Sequence, residues 1–240
     1  MRALARCSAL ALVVIAVGAA SMTRAQAPRT PSALERSPEG WKDLLAEAGA
    51  GLKGWTRLGI PPDPRPKSDA VPTKPNLSQW KFDAGLGVVV CAGDGGHEWL
   101  RWDEELGDFI FHVEWRFVPV PGKKGYNSGV YVRNAADASI WHQAQTGDAS
   151  GGFLFGDTPV DGEVKRVNHS KQLRDKRVKP AGEWNVYEIT CKGKEISLWV
   201  NGAVTCVFDA CEVPRGFVGL EAEGWRIEFR NLKMKPLDGP

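Results

Sequence analysis

Apolar and polar side chains alternate along most of the chain from Gln79 onward. The clearest example is residues 108–118, where one side of an extended chain would carry Phe109, Phe111, Val113, Trp115 and Phe117. The opposite side would carry Ile110, His112, Glu114 and Arg116. Alternation with a period of two residues is typical of a β-strand with one buried face. We therefore predict a strand whose aromatic side packs in the core.

Turn signals predict further strands. Residues 184–208 contain three such segments, separated by Gly193-Lys194 and by Asn201-Gly202. The Asn-Gly pair favours a tight hairpin because both residues tolerate a positive φ. Further strands are predicted within residues 127–134, 216–222 and 225–237. Many short strands with almost no helix indicate an all-β fold, either an antiparallel β-sandwich or a jelly roll.

The first 25 residues have the organisation of a secretory signal peptide. Arg2 and Arg6 precede an apolar run, and small residues then suit cleavage after Ala25, with Ala20 or Ala27 as alternatives. The apolar run is about 12 residues long, shorter than the about 20 that cross a bilayer as a helix, which argues against a membrane anchor. We therefore expect a secreted or periplasmic protein with no transmembrane segment after cleavage.

The remaining chain is predicted to be a short leader followed by one domain. Residues 26–39 are rich in Pro, Ser, Ala and Arg and predict a flexible leader, and residues 40–240 predict a single β-sandwich domain. At the start of that domain, residues 41–48 predict a short helix. Residues 61–66 (PPDPRP) predict a surface loop, because proline has no N–H to donate and a fixed φ.

The charge of the chain narrows the class of partner. The chain has 31 Lys and Arg against 29 Asp and Glu, and loss of the three arginines of the signal peptide leaves it close to neutral. No basic excess remains to attract nucleic acid or an anionic membrane. We therefore expect no nucleic-acid partner and an uncharged ligand such as an oligosaccharide or glycoside, a peptide or a protein.

Four cysteines would remain after cleavage, namely Cys91, Cys191, Cys206 and Cys211. Export makes disulfides feasible, and four cysteines allow three connectivities. Isolated buried thiols are the equal alternative. No paired C-x-x-C spacing indicates a zinc site.

Residues 139–146 (SIWHQAQT) pose a question about His142. In a regular strand Trp141, Gln143 and Gln145 share one face, and this indole with two amides suits the lining of a polar cleft. His142 lies on the other face with Ile140 and Ala144, whose apolar side chains indicate a core. A regular strand therefore packs His142 inside the protein, whereas a single bulge would turn it into the cleft as a catalytic residue.

Several segments together resemble the 3-keto-disaccharide hydrolase domain family. They are residues 127–133 (NSGVYVR), 182–202 (GEWNVYEITCKGKEISLWVNG) and 216–237 (GFVGLEAEGWRIEFRNLKMKPL). Residues 40–55 resemble the opening segment of that family, so the resemblance covers residues 40–237. It implies a concanavalin A-like sandwich of two antiparallel sheets, one of them curved to form a cleft, in agreement with the strand pattern.

The resemblance also implies an activity, the cleavage of glycosides whose sugar carries a ketone at C3. The ketone acidifies the hydrogen on C2, a base removes it, the C1 substituent is eliminated, and water adds back. Such a site needs a base, an acid for the leaving oxygen, and donors or a cation for the enolate oxygen. No cofactor is certain. The chemistry admits a divalent metal, but we assign no metal ligands because the sequence shows no decisive metal cluster.

Candidate site residues follow from the resemblance and from the strand faces. Glu114 in HVEWR and Arg133 in YVR match family motif positions, as candidate acid or base and as candidate cation for the enolate. Alternatively, Glu114 and Arg133 are exposed surface charges that pair with each other. The full set is Glu114, Arg133 and His142 as catalytic candidates, and Asn127, Trp141, Gln143, Gln145 and His112 as substrate-binding candidates.

Two positions depart from the family pattern. Trp141 stands where members often carry the carboxylate of an E-x-Q motif, and Glu223 stands where a Q-x-H-G motif has histidine. If the replaced carboxylate is catalytic, activity is lost or its role has moved, for instance to His112 or His142. His97, after a glycine-rich stretch, is predicted to be a loop residue.

Three functions therefore remain open. The first is an enzyme that cleaves 3-keto-glycosides, the second a non-catalytic carbohydrate-binding module, and the third an interaction domain of the cell envelope. Sandwich folds serve all three, so the fold cannot choose among them. The contents of the cleft can, because a carboxylate or histidine favours catalysis, whereas aromatic and amide side chains alone favour binding.

Overall fold

The computed structural model describes residues 28–60, 78–147 and 149–237. One α-helix, α1 (Ala33–Arg36), and a 3₁₀ turn, Ser170–Gln172, accompany fifteen strands in this part of the chain. The strands are β1 (Lys42–Asp43), β2 (Trp55–Gly59), β3 (Trp80–Asp83), β4 (Val88–Cys91), β5 (Glu98–Trp102), β6 (Phe109–Phe117), β7 (Gly129–Asn134), β8 (Trp141–Gln145), β9 (Leu154–Val160), β10 (Glu163–Asn168), β11 (Asn185–Lys192), β12 (Glu195–Val200), β13 (Ala203–Phe208), β14 (Phe217–Ala222) and β15 (Ile227–Pro236).

The strands form two antiparallel sheets. The first sheet has the order β13-β12-β11-β6-β15-β4-β3, with β1 also paired to β15, and the second has the order β10-β9-β8-β7-β14-β5-β2. Every strand pair is antiparallel. This architecture confirms the predicted concanavalin A-like jelly roll. No helix among the described residues has the length and apolar character needed to cross a membrane.

The core lies between the two sheets, as the alternation of residues 108–118 predicts. The five side chains predicted to point inward from β6 are each at most 1% exposed. The second sheet supplies Val130, Val132, Leu220 and Ala222 to the same cluster. The predicted three-stranded segment is confirmed as β11, β12 and β13, with a turn at Asn201-Gly202 in which both residues have positive φ.

Residues 41–48 do not form the predicted helix. Lys42 and Asp43 pair with β15 as a two-residue strand, and turns follow. Leu44, Leu45 and Ala48 are buried against the core, so tertiary packing outweighs the local helix preference. The predicted signal peptide, residues 1–25, and the predicted proline-rich loop, residues 61–66, lie outside the described residues.

The segment predicted to be a flexible leader contacts the first sheet within residues 28–39. Ser32 caps α1 in a capping box with Glu35, and the N–H groups of Ala33 and Leu34 donate to the carboxylate of Glu188 on β11. The first N–H groups of a helix have no partner within the helix, and here a buried carboxylate accepts from two of them. The segment is thus held to the fold by specific hydrogen bonds.

His112 takes part in this contact between the N-terminal segment and β11, and it does not line a cleft. Its Nδ1 is 2.9 Å from Glu188 Oε1, and its ring is 3% exposed. Burial alone would raise the pKa of Glu188, but hydrogen bonds from His112 and from the helix N–H groups lower it below its ordinary value. The side of β6 predicted to be polar is therefore covered here by the N-terminal segment, and His112 positions the acid that binds it.

The four cysteines of the described residues are free thiols. Cys91, Cys191, Cys206 and Cys211 are all buried and unpaired with one another in the part of the chain that the structure describes. Of the two alternatives, disulfides and isolated buried thiols, the structure therefore shows the second. Burial raises the pKa of Cys91 to about 12 and also raises those of Cys191 and Cys206.

Candidate functional site

A cluster of polar side chains occupies the outer face of the second sheet. Along β7 and β14, Val130, Val132 and Leu220 point into the core, so Tyr131 and Glu221 point to the opposite face. Strand order places β8, β7, β14 and β5 side by side. Together these strands and their flanking loops bring together what we call the polar cluster, namely His97, Asn127, Tyr131, Gln143, Gln145, Glu221 and Glu223.

Glu221 is the centre of the polar cluster. Its Oε1 accepts a hydrogen bond of 2.6 Å from the hydroxyl of Tyr131 and lies 2.8 Å from His97 Nε2. Its Oε2 accepts a hydrogen bond of 2.6 Å from the amide of Gln143. Burial and the negative charge of Glu221 raise the pKa of Tyr131 well above its ordinary value, so the phenol stays protonated as a donor. Three donors therefore fix a carboxylate that is only 3% exposed.

The second carboxylate is held by a chain of two amides. Asn127 Nδ2 donates to Glu223, and Asn127 Oδ1 accepts a 2.5 Å hydrogen bond from Gln145 Nε2. Each amide nitrogen carries a second N–H that a ligand can use. Glu221 lies in β14 and Glu223 directly follows the strand, and their carboxylates converge on the same side of the sheet.

A glycine makes room for this arrangement. A Cβ added at Gly129 would lie 1.8 Å from Nε2 of Gln143. The Gln143 side chain therefore lies directly over the Gly129 backbone on its way to Glu221. A side chain at position 129 would displace it.

Aromatic rings continue the same face beyond the polar cluster. The ring of Trp141 meets that of Tyr131 edge-on at 6.2 Å and that of Phe155 at 5.1 Å, and Phe155 lies 5.8 Å from Phe153. The indole N–H of Trp141 donates to Asp157 over 3.1 Å. We call Trp141, Phe153 and Phe155 the aromatic strip. All three rings are half-buried.

The polar cluster also has donor atoms suited to a divalent cation. His97, Glu221 and Glu223 each offer one ligand atom, and these atoms lie within 4.8 Å of one another. An imidazole with two carboxylates suits first-row divalent ions such as Mn²⁺ or Zn²⁺. Glu221, however, already accepts three protein hydrogen bonds, which favours a role in orienting His97.

Glu114 lies on the opposite side of the molecule from this cluster. It is on the outer face of the first sheet, where Oε2 accepts a 2.8 Å hydrogen bond from Arg230 and Oε1 accepts one of 3.0 Å from Asn231. The structure therefore separates Glu114 from the other site candidates. The alternation of β6 shows that Glu114 points outward but cannot show which sheet carries the site.

Arg133 is inside the protein and not on the face of Tyr131. It has a φ of +49°, and the pairing of β7 with β14 is irregular beside it. This local distortion breaks the alternation, and the guanidinium donates to Asp108 over 2.7 Å and to the carbonyl of Gly193 over 2.6 Å. Arg133 is 0% exposed and joins the two sheets at one end of the sandwich.

His142 points into the core, as a regular strand requires. Its Nε2 lies 2.8 Å from the hydroxyl of Thr158 and 3.6 Å from the thiol of Cys211, and the residue is 2% exposed. The structure therefore gives the catalytic candidate His142 a packing role. Burial lowers its pKa to about 4, and the charge of Arg133 acts in the same direction.

This burial predicts a pH-dependent loss of stability. The unfolded chain binds a proton at His142 near pH 6.5, whereas the folded chain does so only near pH 4. The stabilisation is therefore present above pH 6.5 and is lost as the pH falls towards 4, by about 3 kcal/mol in total. Urea unfolding at pH 7 and pH 4 should show this loss in the wild type and not in His142→Gln. An equal pH dependence in both proteins would contradict it.

Four of the predicted substrate-binding residues are brought together. Asn127, Gln143 and Gln145 belong to the polar cluster, and Trp141 lies beside it. The sequence interpretation missed Tyr131 and Glu221 and assigned His97 to a loop without a role. Alternation in residues 216–222 was the available signal, since it places Glu221 opposite Leu220.

Comparison with known proteins identifies the family. The model of the 3-keto-alpha-glucoside-1,2-lyase-like domain matches residues 40–235, while a search of curated proteins finds no match. A candidate glycosyl hydrolase from Parabacteroides distasonis ATCC 8503 is 19% identical, with a TM-score of 0.54, over 82% of this chain and 99% of that chain. A second from the same organism is 16% identical, with a TM-score of 0.55, over 88% and 100%.

A carbohydrate-binding module, CBM66 from Bacillus subtilis, has the same fold. It is 11% identical, with a TM-score of 0.51, over 76% of this chain and 95% of that chain. At such identities these three likenesses establish the sandwich fold alone. The family match spans most of the chain and confirms the resemblance seen in its motifs. The protein is carbohydrate-active and belongs to the 3-keto-alpha-glucoside-1,2-lyase-like domain family.

Proposed function

We propose that this protein is an exported enzyme that cleaves glycosides whose sugar carries a ketone at C3. The observation that carries the proposal is the polar cluster, in which an imidazole and two carboxylates converge within 4.8 Å beside amide groups. An elimination needs both an acid and a base, whereas a simple binding module needs neither. The family match supports the same reaction class. The signal-peptide pattern of residues 1–25 supports export.

His97 is the base of the proposed reaction. Its Nε2 donates to Glu221, and this hydrogen bond selects the tautomer in which Nδ1 carries the lone pair. Glu221 is fixed in turn by Tyr131 and Gln143, so the imidazole is held by a positioned carboxylate. A histidine oriented by a buried acid is an effective general base near neutral pH.

The reaction balances with His97 and Glu223 as the two proton-transfer groups. His97 takes the proton from C2, and its electron pair enters the C2–C3 bond as the C3 carbonyl becomes an enolate. The enolate returns to a ketone, a double bond forms between C1 and C2, and the C1–oxygen bond breaks. Glu223 gives a proton to the departing oxygen. Water then adds a hydroxyl to C1 and a hydrogen to C2, which completes a net hydrolysis.

Amide groups supply the polar contacts to the sugar. The second N–H groups of Asn127 and Gln145 lie beside Glu223 and suit sugar hydroxyls or the enolate oxygen. Such donors, fixed by their neighbours before substrate binds, stabilise developing charge with little reorganisation. A divalent cation at His97, Glu221 and Glu223 would supply the same stabilisation as a Lewis acid, but it would occupy the base.

A sugar-release assay on the purified mature protein tests the proposal. The substrates are a 3-keto-glucoside and its unoxidised parent, each with and without a chelator. We expect release from the keto compound alone, unaffected by chelator. Loss of release with chelator, restored by Mn²⁺, would overturn the role of His97 as base.

The second candidate function is a carbohydrate-binding module, which the fold shared with CBM66 favours. Saturable binding of either sugar in calorimetry, without release, would establish that function and overturn the enzymatic one. If the protein neither releases nor binds either sugar, both functions are overturned in favour of an envelope-interaction domain.

A further inference from the structure

We propose that the aromatic strip is an aglycone subsite and that the preferred substrates carry a planar aromatic group on C1 of the keto sugar. This inference rests on the proposed function, because it names the leaving group of the same reaction. It concerns Trp141, Phe153 and Phe155, which the acid–base chemistry does not use.

The strip begins on β8, two strands away from β14, which carries Glu221. Adjacent strands lie about 4.8 Å apart, so this separation is about 10 Å across the sheet. Tyr131 on β7 lies between them, because its hydroxyl binds Glu221 and its ring meets that of Trp141. A sugar ring that lies over β14 and β7 with C1 towards β8 would place its C1 substituent over the aromatic rings.

Core packing explains Phe153, which packs against the hydrophobic cluster, but not Trp141 and Phe155. Trp141 and Phe155 are half-buried and do not belong to the hydrophobic cluster between the sheets. They lie on the opposite face of the second sheet, as Trp141, Gln143 and Gln145 share one side of β8. Two large rings kept on an outer face beside a polar site are typical of a ligand platform.

The chemistry of the strip favours an aromatic group over a second sugar. The guanidinium of Arg166 lies 5.1 Å from the ring centre of Trp141, and it also binds Asp157, the acceptor of the Trp141 indole N–H. Asp157 and Arg166 thus bind each other, whereas a sugar at this point needs donors and acceptors for several hydroxyls. A flat ring needs only stacking and edge contacts with Trp141 and Phe155.

An aromatic leaving group also suits the chemistry of elimination. The pKa of a phenol is about 10, far below that of an alkyl alcohol. A phenolate therefore leaves with little help from an acid, which lessens the demand on Glu223. The aromatic strip and the small demand that a phenolate makes on Glu223 therefore point to the same class of glycoside.

The test compares phenyl and ethyl glucosides of the same anomeric configuration, each oxidised at C3. We expect the wild type to favour the phenyl compound in kcat/KM by about tenfold or more, since one aromatic contact contributes about that factor. Trp141→Ala should lower kcat/KM for the phenyl compound about tenfold more than for the ethyl compound, and the preference that remains reflects the better leaving group. Trp184→Ala is the matched control, because that half-buried indole stacks between Arg116 and Arg230 on the first sheet.

Calorimetry with the unoxidised phenyl and ethyl glucosides separates this inference from the proposed function, since binding needs no turnover. Tighter binding of the phenyl compound that is lost in Trp141→Ala supports the subsite even if no keto-glycoside is cleaved. Equal binding and equal turnover of the two compounds would overturn it. If Trp141→Ala does not fold, Phe155→Leu replaces it with the same expected loss of preference.

Discussion

Replacing Glu221 with glutamine is expected to reduce kcat for keto-glycoside cleavage by about 10³- to 10⁴-fold. The carboxylate accepts from Tyr131 and Gln143 and contacts His97. A glutamine has only one acceptor oxygen, so its NH₂ group meets at least one donor. The imidazole then loses the partner that selects its tautomer, and a substitution of this kind in another histidine–carboxylate pair has an effect of that size.

The measurement is single-turnover cleavage of a 3-keto-glucoside by the wild type and by Glu221→Gln. Glu114→Gln serves as the matched control, because Glu114 binds Arg230 and Asn231 on the other sheet and should keep full activity. A loss of less than tenfold in Glu221→Gln, or an equal loss in the control, would exclude Glu221 from the catalytic site. Thermal unfolding of both variants separates loss of activity from loss of fold.

Replacing Arg133 with leucine is expected to lower the free energy of unfolding by about 3–5 kcal/mol. The guanidinium is fully buried and binds Asp108 and the Gly193 carbonyl, so its removal takes one donor from each and leaves the carboxylate with the Gly193 N–H. Breaking a buried ion pair from one side has a cost of this order.

Guanidinium unfolding gives the measurement for Arg133→Leu. The matched control is Arg215→Leu, whose ion pair with Glu105 is exposed on both sides and should contribute less than about 1 kcal/mol. Activity per folded molecule should stay near the wild-type value in Arg133→Leu. A stable Arg133→Leu variant without activity would return Arg133 to the catalytic site.

Local pattern was sufficient for the fold because each strand carries its own signal. The alternation of β6 and the Asn201-Gly202 turn depend on neighbouring residues alone, and both have the predicted structure. Residues 41–48 differ because their apolar side chains fit a helix equally well. Only contact with the core decides that they form a short strand and turns.

The site was harder to predict because its residues come from four separate segments. His97, Asn127, Gln143 and Glu221 meet only once β8, β7, β14 and β5 lie side by side. Glu114 has the same alternation as Tyr131, so pattern alone cannot distinguish the outer faces of the two sheets. Arg133 was misplaced because an irregular pairing and a positive φ reverse its direction, and arginine is not a residue type that signals either.

The four buried thiols allow local opening of the first sheet to be measured by thiol labelling. Cys91 lies in β4, Cys191 in β11 and Cys206 in β13, while Cys211 follows β13, so together they sample both ends of the first sheet. Only the thiolate reacts with a disulfide reagent. Burial of all four thiols, and the raised pKa values of Cys91, Cys191 and Cys206, suppress that reaction in the folded state. The labelling rate of each thiol therefore measures how often its part of the sheet opens, with no engineered probe.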